Sequence, residues 1–441
     1  MAASREKFGR MGVILALAGS AIGLGNIWRF PYMVGEYGGA AFIIVYLAFA
    51  FLISLPAFLA ESLIGRKAGK STYDALESLA PGTKWKWLGL LAVLGAFIIT
   101  SYYSVVGGWS LDFLARSVVR GFDSANPESA AAVFDRMTAS TIEPLLAHAL
   151  FLGFSCMIIV LGVKKGIDRF SKVCIPLLFV LIVAMMLFSL SLPGSKDGLD
   201  YLLKPDFSKL TPRGIACALG QSFFSMSIGM GVVLTYSSYM KKQQKILSTS
   251  VLTLIFDIFF AVISGFVVMP AVFSAGLRPE AGPSLVFESI PYIFARMGAA
   301  SPLLGRVMAI GFFLTILIAA ITSEISMIES CVSMLMERLH WGRKKATWVI
   351  FCAALLLGCW CSLRSNVFSF CDFVSSNVFM MLGALAFTVF AGWKMERSAL
   401  KAEFTNNGRL KLSSALFGGF YFLLKYLVPP AILVIFFTNL L

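Results

Sequence analysis

Charge is what this chain of 441 residues has least of. Only 14% of its positions are charged and 58% are hydrophobic, whereas soluble globular proteins carry roughly 25% charged residues. Mean hydropathy is +0.84. A chain of this length would make about three soluble domains, and so few polar side chains cannot cover three surfaces. Cysteine is sparse too. Most of the eight (Cys156, Cys174, Cys217, Cys352 and Cys359 among them) lie inside apolar runs, which excludes a secreted disulfide scaffold. The two histidines, His148 and His340, are far apart, and no Cys/His spacing suits a transition metal. Also missing are a His-Glu-x-x-His or Gly-x-Ser-x-Gly sequence and a nucleotide-binding phosphate loop. These absences argue against an enzyme and against ATP as the energy source. An all-α integral membrane protein is what remains.

What is present is a series of apolar runs. A helical span needs about 20 mostly apolar residues, and by that measure eleven transmembrane helices are expected, near 11–35, 40–65, 87–115, 141–161, 167–190, 215–239, 247–275, 302–335, 346–362, 369–393 and 415–440. The ten-residue alternation of a membrane β-barrel is missing. The first run continues into Asn26, Trp28 and Arg29 without a cleavage site, so it does not read as a signal peptide.

The net charge of +14 arises in small clusters between spans, which requires no nucleic acid as partner. With the N-terminus inside, 24 of the 37 Lys and Arg residues fall on the cytoplasmic side. That asymmetry predicts a cytoplasmic N-terminus and an external C-terminus in a bacterial inner membrane. The longer connections at 118–140, 192–213 and 276–301 are expected outside, as turns rich in Pro and Gly.

Two spans carry a glycine pair near the middle: Ser20-Ala21-Ile22-Gly23-Leu24-Gly25 in the first and Met226-Ser227-Ile228-Gly229-Met230-Gly231 in the sixth. Either alone reads as close helix packing. At matched positions of two five-helix halves, they point to interrupted helices around a transporter's central site. The organisation that follows is a cytoplasmic segment 1–10, a first repeat 11–190, an external loop 191–212, a second repeat 213–394, a cytoplasmic loop 395–413 and a last span 414–441. An interrupted helix offers free N–H groups to a carboxylate and free C=O groups to a hard cation such as Na⁺.

The run Gly19-Ser20-Ala21-Ile22-Gly23-Leu24-Gly25-Asn26-Ile27-Trp28-Arg29-Phe30-Pro31-Tyr32 resembles the first-helix signature of the neurotransmitter:sodium symporter family. The similarity continues through Glu61, Tyr102-Tyr103, Gly166-Ile167-Asp168-Arg169-Phe170, Gln221-Ser222-Phe223-Phe224-Ser225 and Thr322-Ser323. The resemblance implies the leucine-transporter fold, 5+5 inverted repeats with helices 1 and 6 unwound at the midplane, and sodium-coupled import of an amino acid by alternating access. It implies one sodium site at the Ala21 carbonyl, Asn26, Ser225 and Asp257. A second would use the carbonyls of Gly19, Ile22 and Ala319 with Thr322 and Ser323. The substrate carboxylate would meet the amides of Leu24 and Gly25 and the Tyr103 hydroxyl, beside Ala21 and Ser225. Its side chain would lie among Ile99, Phe224, Ser227, Met230, Ser323 and Met327, a mostly apolar set that suits a neutral hydrophobic or aromatic residue.

Charges inside spans are functional candidates, because each costs about 2.5–3.5 kcal/mol or more at mid-membrane. The resemblance pairs Arg29 with Asp372 as an outer gate and Arg5 with Glu337 as an inner one, and it gives Glu61 an unwound segment to hold. Asp257 would supply the negative charge that chloride-dependent relatives obtain from an anion, which Ala261 cannot, so transport is expected to be chloride-independent. Glu324 stands where a small hydroxyl residue is usual; at the side-chain end of the pocket it would favour a polar or cationic amino acid or amine if ionised and be compatible with apolar ones if protonated by burial, or it would pair with a neighbouring helix instead. Gly166 and Pro176 mark span five either as an ordinary kink or as a segment that unwinds to let water reach the second sodium site. A channel, or a solute sensor without flux, are the remaining alternatives to a transporter.

Overall fold

The structure is a computed structural model, and it describes residues 6–122, 126–277 and 285–440. Among the described residues the regular elements are helices, apart from one isolated bridge between Gly39 and Pro205. Nine helices there are long and apolar enough to cross a membrane: Ala40–Ala68, Trp85–Val119, Ile142–Val160, Val163–Leu190, Ile246–Ser274, Pro302–Arg338, Arg343–Leu363, Ser365–Lys394 and Ser414–Thr438. Arg10–Ala21 and Gly25–Glu36 form a bent pair, at 47°, that counts as a tenth. The run expected as the sixth span is divided into Pro212–Ser225 and Val232–Ser238.

The helices are apolar on both faces, and this tells what surrounds them. On Ile142–Val160, Leu146, Leu150, Phe154 and Met157 recur every three or four residues and stay about half exposed, while Ala147, Phe151 and Cys156 are buried on the other side. Exposing such side chains to water would forfeit roughly 1.5–3 kcal/mol each. In lipid there is no such penalty.

Both interruptions have local causes. In the first, Ile22 turns to an extended conformation (φ −77°, ψ 99°) and Gly23 follows; the chain re-enters a helix at Gly25 through a widened, π-type turn up to Arg29. In the second, Ser227, Gly229 and Gly231 all adopt positive φ (53°, 88° and 68°). A serine there is disfavoured, and its Oγ offsets the cost by donating to the Ser20 carbonyl at 2.9 Å. The two interruptions therefore hold each other.

Gly229 also touches the Ser365–Lys394 helix directly. A methyl at Gly229 would lie 2.0 Å from the Met380 carbonyl oxygen, and one at Gly383 would lie 2.0 Å from the Gly229 oxygen. No side chain separates the two backbones. Glu61 braces the same segment, accepting the Gly229 N–H at 2.6 Å.

Three expectations need correction. The outer connections contain helices rather than turns alone: Pro127–Ala139, Ser195–Leu203 and Ile290–Ala300. Pro127 stands in the first turn, where a missing N–H costs nothing, and the Asn126 side chain caps the Ser129 amide at 2.8 Å. Span five is not unwound between Gly166 and Pro176. After a π-type turn at Val163–Asp168, Arg169–Leu190 is a continuous helix with Pro176 inside it. Finally, the sequence does contain a Gly69-Lys70-Ser71 tripeptide, but it connects two helices. Gly69 ends one at φ 62° and Ser71 precedes Thr72–Leu79.

Candidate solute and cation site

The interrupted segments line a small chamber with the helices Trp85–Val119 and Pro302–Arg338. All eleven residues expected around a solute border it: Ala21, Leu24, Gly25, Ile99, Tyr103, Phe224, Ser225, Ser227, Met230, Ser323 and Met327, joined by Ser20, Gly23 and Asn26. The free space left within it is small, about 20 Å³. In its lining the Leu24 N–H donates to the Tyr103 hydroxyl at 3.1 Å, beside Gly25. Ile99, Met230 and Met327 add apolar surface. Such an arrangement can hold a carboxylate by dipoles and an apolar side chain by contact.

Two clusters of oxygen atoms flank the chamber. In the first, the Asn26 amide donates to Asp257 Oδ1 at 2.7 Å and to Ser225 Oγ at 3.3 Å, and Ser225 donates to the same carboxylate oxygen. Asn26 Oδ1 accepts the Gly23 N–H at 3.3 Å. Tyr46, which no motif singled out, donates its hydroxyl to Asp257 Oδ2 at 3.2 Å. Its only signal was a phenol in a buried stripe of an apolar helix, where the hydroxyl must find a partner.

In the second cluster, Ser323 Oγ lies 3.3 Å from the Gly19 oxygen, 3.2 Å from that of Ser20 and 3.3 Å from that of Ile22. Thr322 Oγ1 bonds the Ala319 oxygen at 3.0 Å and that of Ile318 at 3.1 Å. Carbonyl, hydroxyl and carboxylate oxygens alone suit a hard cation. Among the described residues no group of three His, Cys, Asp or Glu could hold a transition metal.

A vestibule of about 400 Å³ adjoins the chamber at Leu24, Gly25, Tyr103 and Phe224 and is walled by Trp28, Tyr32, Trp109, Phe134, Phe287 and Phe368. Arg29 and Asp372 both face this vestibule, but among the described ion pairs none joins them. The Arg29 guanidinium lies over the Phe224 ring at 5.1 Å. Asp372 Oδ1 accepts from the Tyr102 hydroxyl at 2.9 Å and from Ser376 at 3.2 Å. The expected outer pair is thus apart.

On the opposite side the packing is closed. Phe8 is fully buried against Tyr236 and Tyr239, with ring centroids 5.5 and 5.9 Å away. Tyr239 donates to Glu329 at 2.6 Å, and Arg343 grips the same carboxylate through two nitrogens at 2.5 and 3.0 Å. Glu337 accepts the Ser71 N–H at 2.7 Å; its expected partner Arg5 lies outside the described residues. Glu324 does not border the chamber. It is completely buried, and neither carboxyl oxygen has a hydrogen-bond partner.

Comparison with known proteins bears on the same residues. The Sodium:neurotransmitter symporter family model matches residues 5–128 and 138–441. A sodium-dependent transporter of Bacillus subtilis, YhdH, is 35% identical over 438 residues, covering 97% of this chain and 96% of its own. One from Haemophilus influenzae is 34% identical over 457 residues, covering 98% and 97%. The crystal structure of MhsT in complex with L-phenylalanine superposes with a TM-score of 0.90 at 38% identity, over 99% of this chain and all of that one.

Proposed function

The chain belongs to the sodium:neurotransmitter symporter family, whose members are transporters rather than enzymes, and from that premise we propose that it imports a neutral hydrophobic or aromatic L-amino acid together with two sodium ions, independently of chloride. The observation that carries this reading is the lining shared by the two interrupted helices. It joins the Leu24 N–H and Tyr103 hydroxyl, which suit a carboxylate, to the apolar Ile99, Met230 and Met327. MhsT, which is similar in fold and sequence, was crystallised with L-phenylalanine, and this agrees with an aromatic substrate. Glu324 favours no polar or cationic solute from its place outside the chamber.

In this reading one sodium ion sits among Asn26, Ser225, Asp257 and the Ala21 carbonyl, and touches the substrate carboxylate. The second replaces the Ser323 hydrogen bonds at the carbonyls of Gly19 and Ile22, with Ala319 and Thr322 completing the shell. Eleven spans form two inverted five-helix repeats (11–190 and 213–394) plus a last helix, in a bacterial inner membrane with the N-terminus in the cytoplasm. The wide vestibule and the closed side around Phe8 correspond to an outward-facing state. Arg29 and Asp372 then approach each other when the solute is enclosed, and Arg5 and Glu337 part on the inner side.

The energy suffices. One charge crossing 100 mV gains about 2.3 kcal/mol, and a tenfold gradient adds about 1.4 kcal/mol. Two sodium ions thus deliver roughly 7 kcal/mol, enough for accumulation on the order of 10⁵-fold under tight coupling.

The test is flux into liposomes containing the purified protein under an imposed sodium gradient, with each of the twenty amino acids and common amines. Sodium-dependent accumulation of phenylalanine or leucine is expected. Binding without flux would make the protein a sensor on the same fold, and uptake of lysine or an amine alone would overturn the substrate class.

A further inference from the structure

A lysine stands in the middle of an apolar span. Lys425 belongs to Ser414–Thr438, a helix of 25 residues that is long and apolar enough to cross a membrane, and a charge at the centre of such a helix is costly. Two features answer that cost. The Trp393 indole N–H donates to the Lys425 carbonyl at 3.3 Å, and the Tyr421 hydroxyl donates to the Gly392 carbonyl at 3.0 Å. Lys425 therefore lies level with Phe390–Lys394, the last turn of the preceding span, where Trp and Tyr mark a membrane interface. The ammonium is also caged by rings. It lies 4.5 Å from the centre of Trp393 and 5.6 Å from the centres of Tyr421 and Tyr426.

A second cation shares this cage. Arg397 opens the helix Arg397–Phe404 just beyond the preceding span, and its guanidinium lies over the Tyr421 ring at 5.0 Å. Ring faces attract cations but leave their N–H groups without oxygen acceptors. Among the described residues neither Lys425 Nζ nor the Arg397 guanidinium makes a hydrogen bond or an ion pair. The acids on the same connection are engaged elsewhere: Glu396 accepts from Ser398, and Glu403 pairs with Arg66. Two like charges on one ring repel each other unless an anion joins them. Beside them Tyr426, Leu433 and Phe437 recur at helical spacing and stay exposed, so an apolar ridge leads from the cations along the span. A ligand with an anion at one end and hydrocarbon at the other matches both parts.

We propose that Lys425 and Arg397 bind the phosphodiester of an anionic phospholipid whose acyl chains lie along the exposed ridge of Ser414–Thr438. The phosphate oxygens accept charge-assisted hydrogen bonds from both cations, while Trp393, Tyr421 and Tyr426 hold those cations in place. A free phosphate would use the charges and leave the ridge bare. In the orientation proposed above, the lipid belongs to the cytoplasmic leaflet, whose anionic headgroups make its surface negative. Neither cation nor any ring of this cage borders the chamber or the vestibule, so lipid binding is judged separately from transport.

The experiment uses the full chain, purified in detergent, stripped of lipid and titrated by native mass spectrometry. The probes are dioleoyl-phosphatidylglycerol, dioleoyl-phosphatidylcholine and inorganic phosphate. One tightly held phosphatidylglycerol is expected, with phosphatidylcholine and phosphate bound more weakly. Its affinity falls roughly 5-fold in Lys425→Gln and likewise in Arg397→Gln. Lys242→Gln, which removes an exposed cation elsewhere, leaves it unchanged. Arg397 is exposed, so Arg397→Gln carries the test should Lys425→Gln fail to fold. Unchanged affinity in Arg397→Gln, or in a folded Lys425→Gln, overturns the proposal, as does an equal loss in Lys242→Gln. Phosphatidylcholine held as tightly would reduce the site to an apolar groove, and phosphate held as tightly would make it a plain anion site. Either result overturns the lipid assignment.

Discussion

Asn26 and Asp257 meet side chain to side chain at 2.7 Å although 231 residues separate them in the chain. The carboxylate also receives the hydroxyls of Ser225 and Tyr46, so three donors converge on one acceptor. In the proposed reading, a sodium ion entering this cluster would take over electrostatic work that the hydrogen bonds now perform.

Asp257→Asn removes the charge and keeps the shape. Hydrogen bonds to a charged group contribute about 1.5–3 kcal/mol, so the apparent sodium affinity is expected to drop ~10-fold or more. Uptake by the variant becomes stimulated by chloride, while the parent is indifferent. Sodium titrations check the affinity, and uptake in chloride against gluconate at fixed sodium checks the anion response; chloride stimulation of the parent would refute the assigned role.

Tyr103→Phe deletes the hydroxyl that accepts the Leu24 N–H. The expected result is a KM for the amino acid raised roughly 10- to 100-fold, with the sodium dependence little changed, because a single hydrogen bond to a carboxylate is lost. Equal losses in both would place Tyr103 in the scaffold rather than at the solute.

Gly23→Ala places a methyl 2.6 Å from Ser323 Oγ and 3.0 Å from the Tyr103 hydroxyl. Because Gly23 has a negative φ, it needs no special backbone freedom. The variant is expected to fold, with an elution profile and melting point near the parent's, and to lose most of its uptake. A collapse of stability instead would show that the chamber has no slack.

Pro176→Ala restores an N–H that the helix Arg169–Leu190 now lacks. This is expected to strengthen the helix on the closed side, slow sodium release and reduce turnover, and leave solute binding from the vestibule nearly unaffected. Stopped-flow release and equilibrium binding separate these effects, and equal impairment of both would reject the opening of this helix as a step.

Much of the architecture was legible in the chain because lipid imposes strong local rules. Apolar runs and glycine pairs are written residue by residue, so the spans and both interruptions could be located before any contact was known, while the eleven chamber residues came from the family resemblance. Tyr46 was not, because only folding brings its helix beside Asp257. The helix Pro127–Ala139 was read as turn because Pro suits a turn and a first helical turn alike. Glu324 was considered for the chamber, yet its helix turns it away toward no hydrogen-bond partner. The separation of Arg29 from Asp372 depends on how distant helices pack, which no local pattern encodes.

Gly229 and Gly383 meet without side chains between them. Interlocked side chains would give this contact ridges and notches, and each step of one helix past the other would have to climb out of a notch. Bare peptide planes present a smooth track instead. A methyl group on either face would meet a carbonyl oxygen at 2.0 Å and force the two backbones apart.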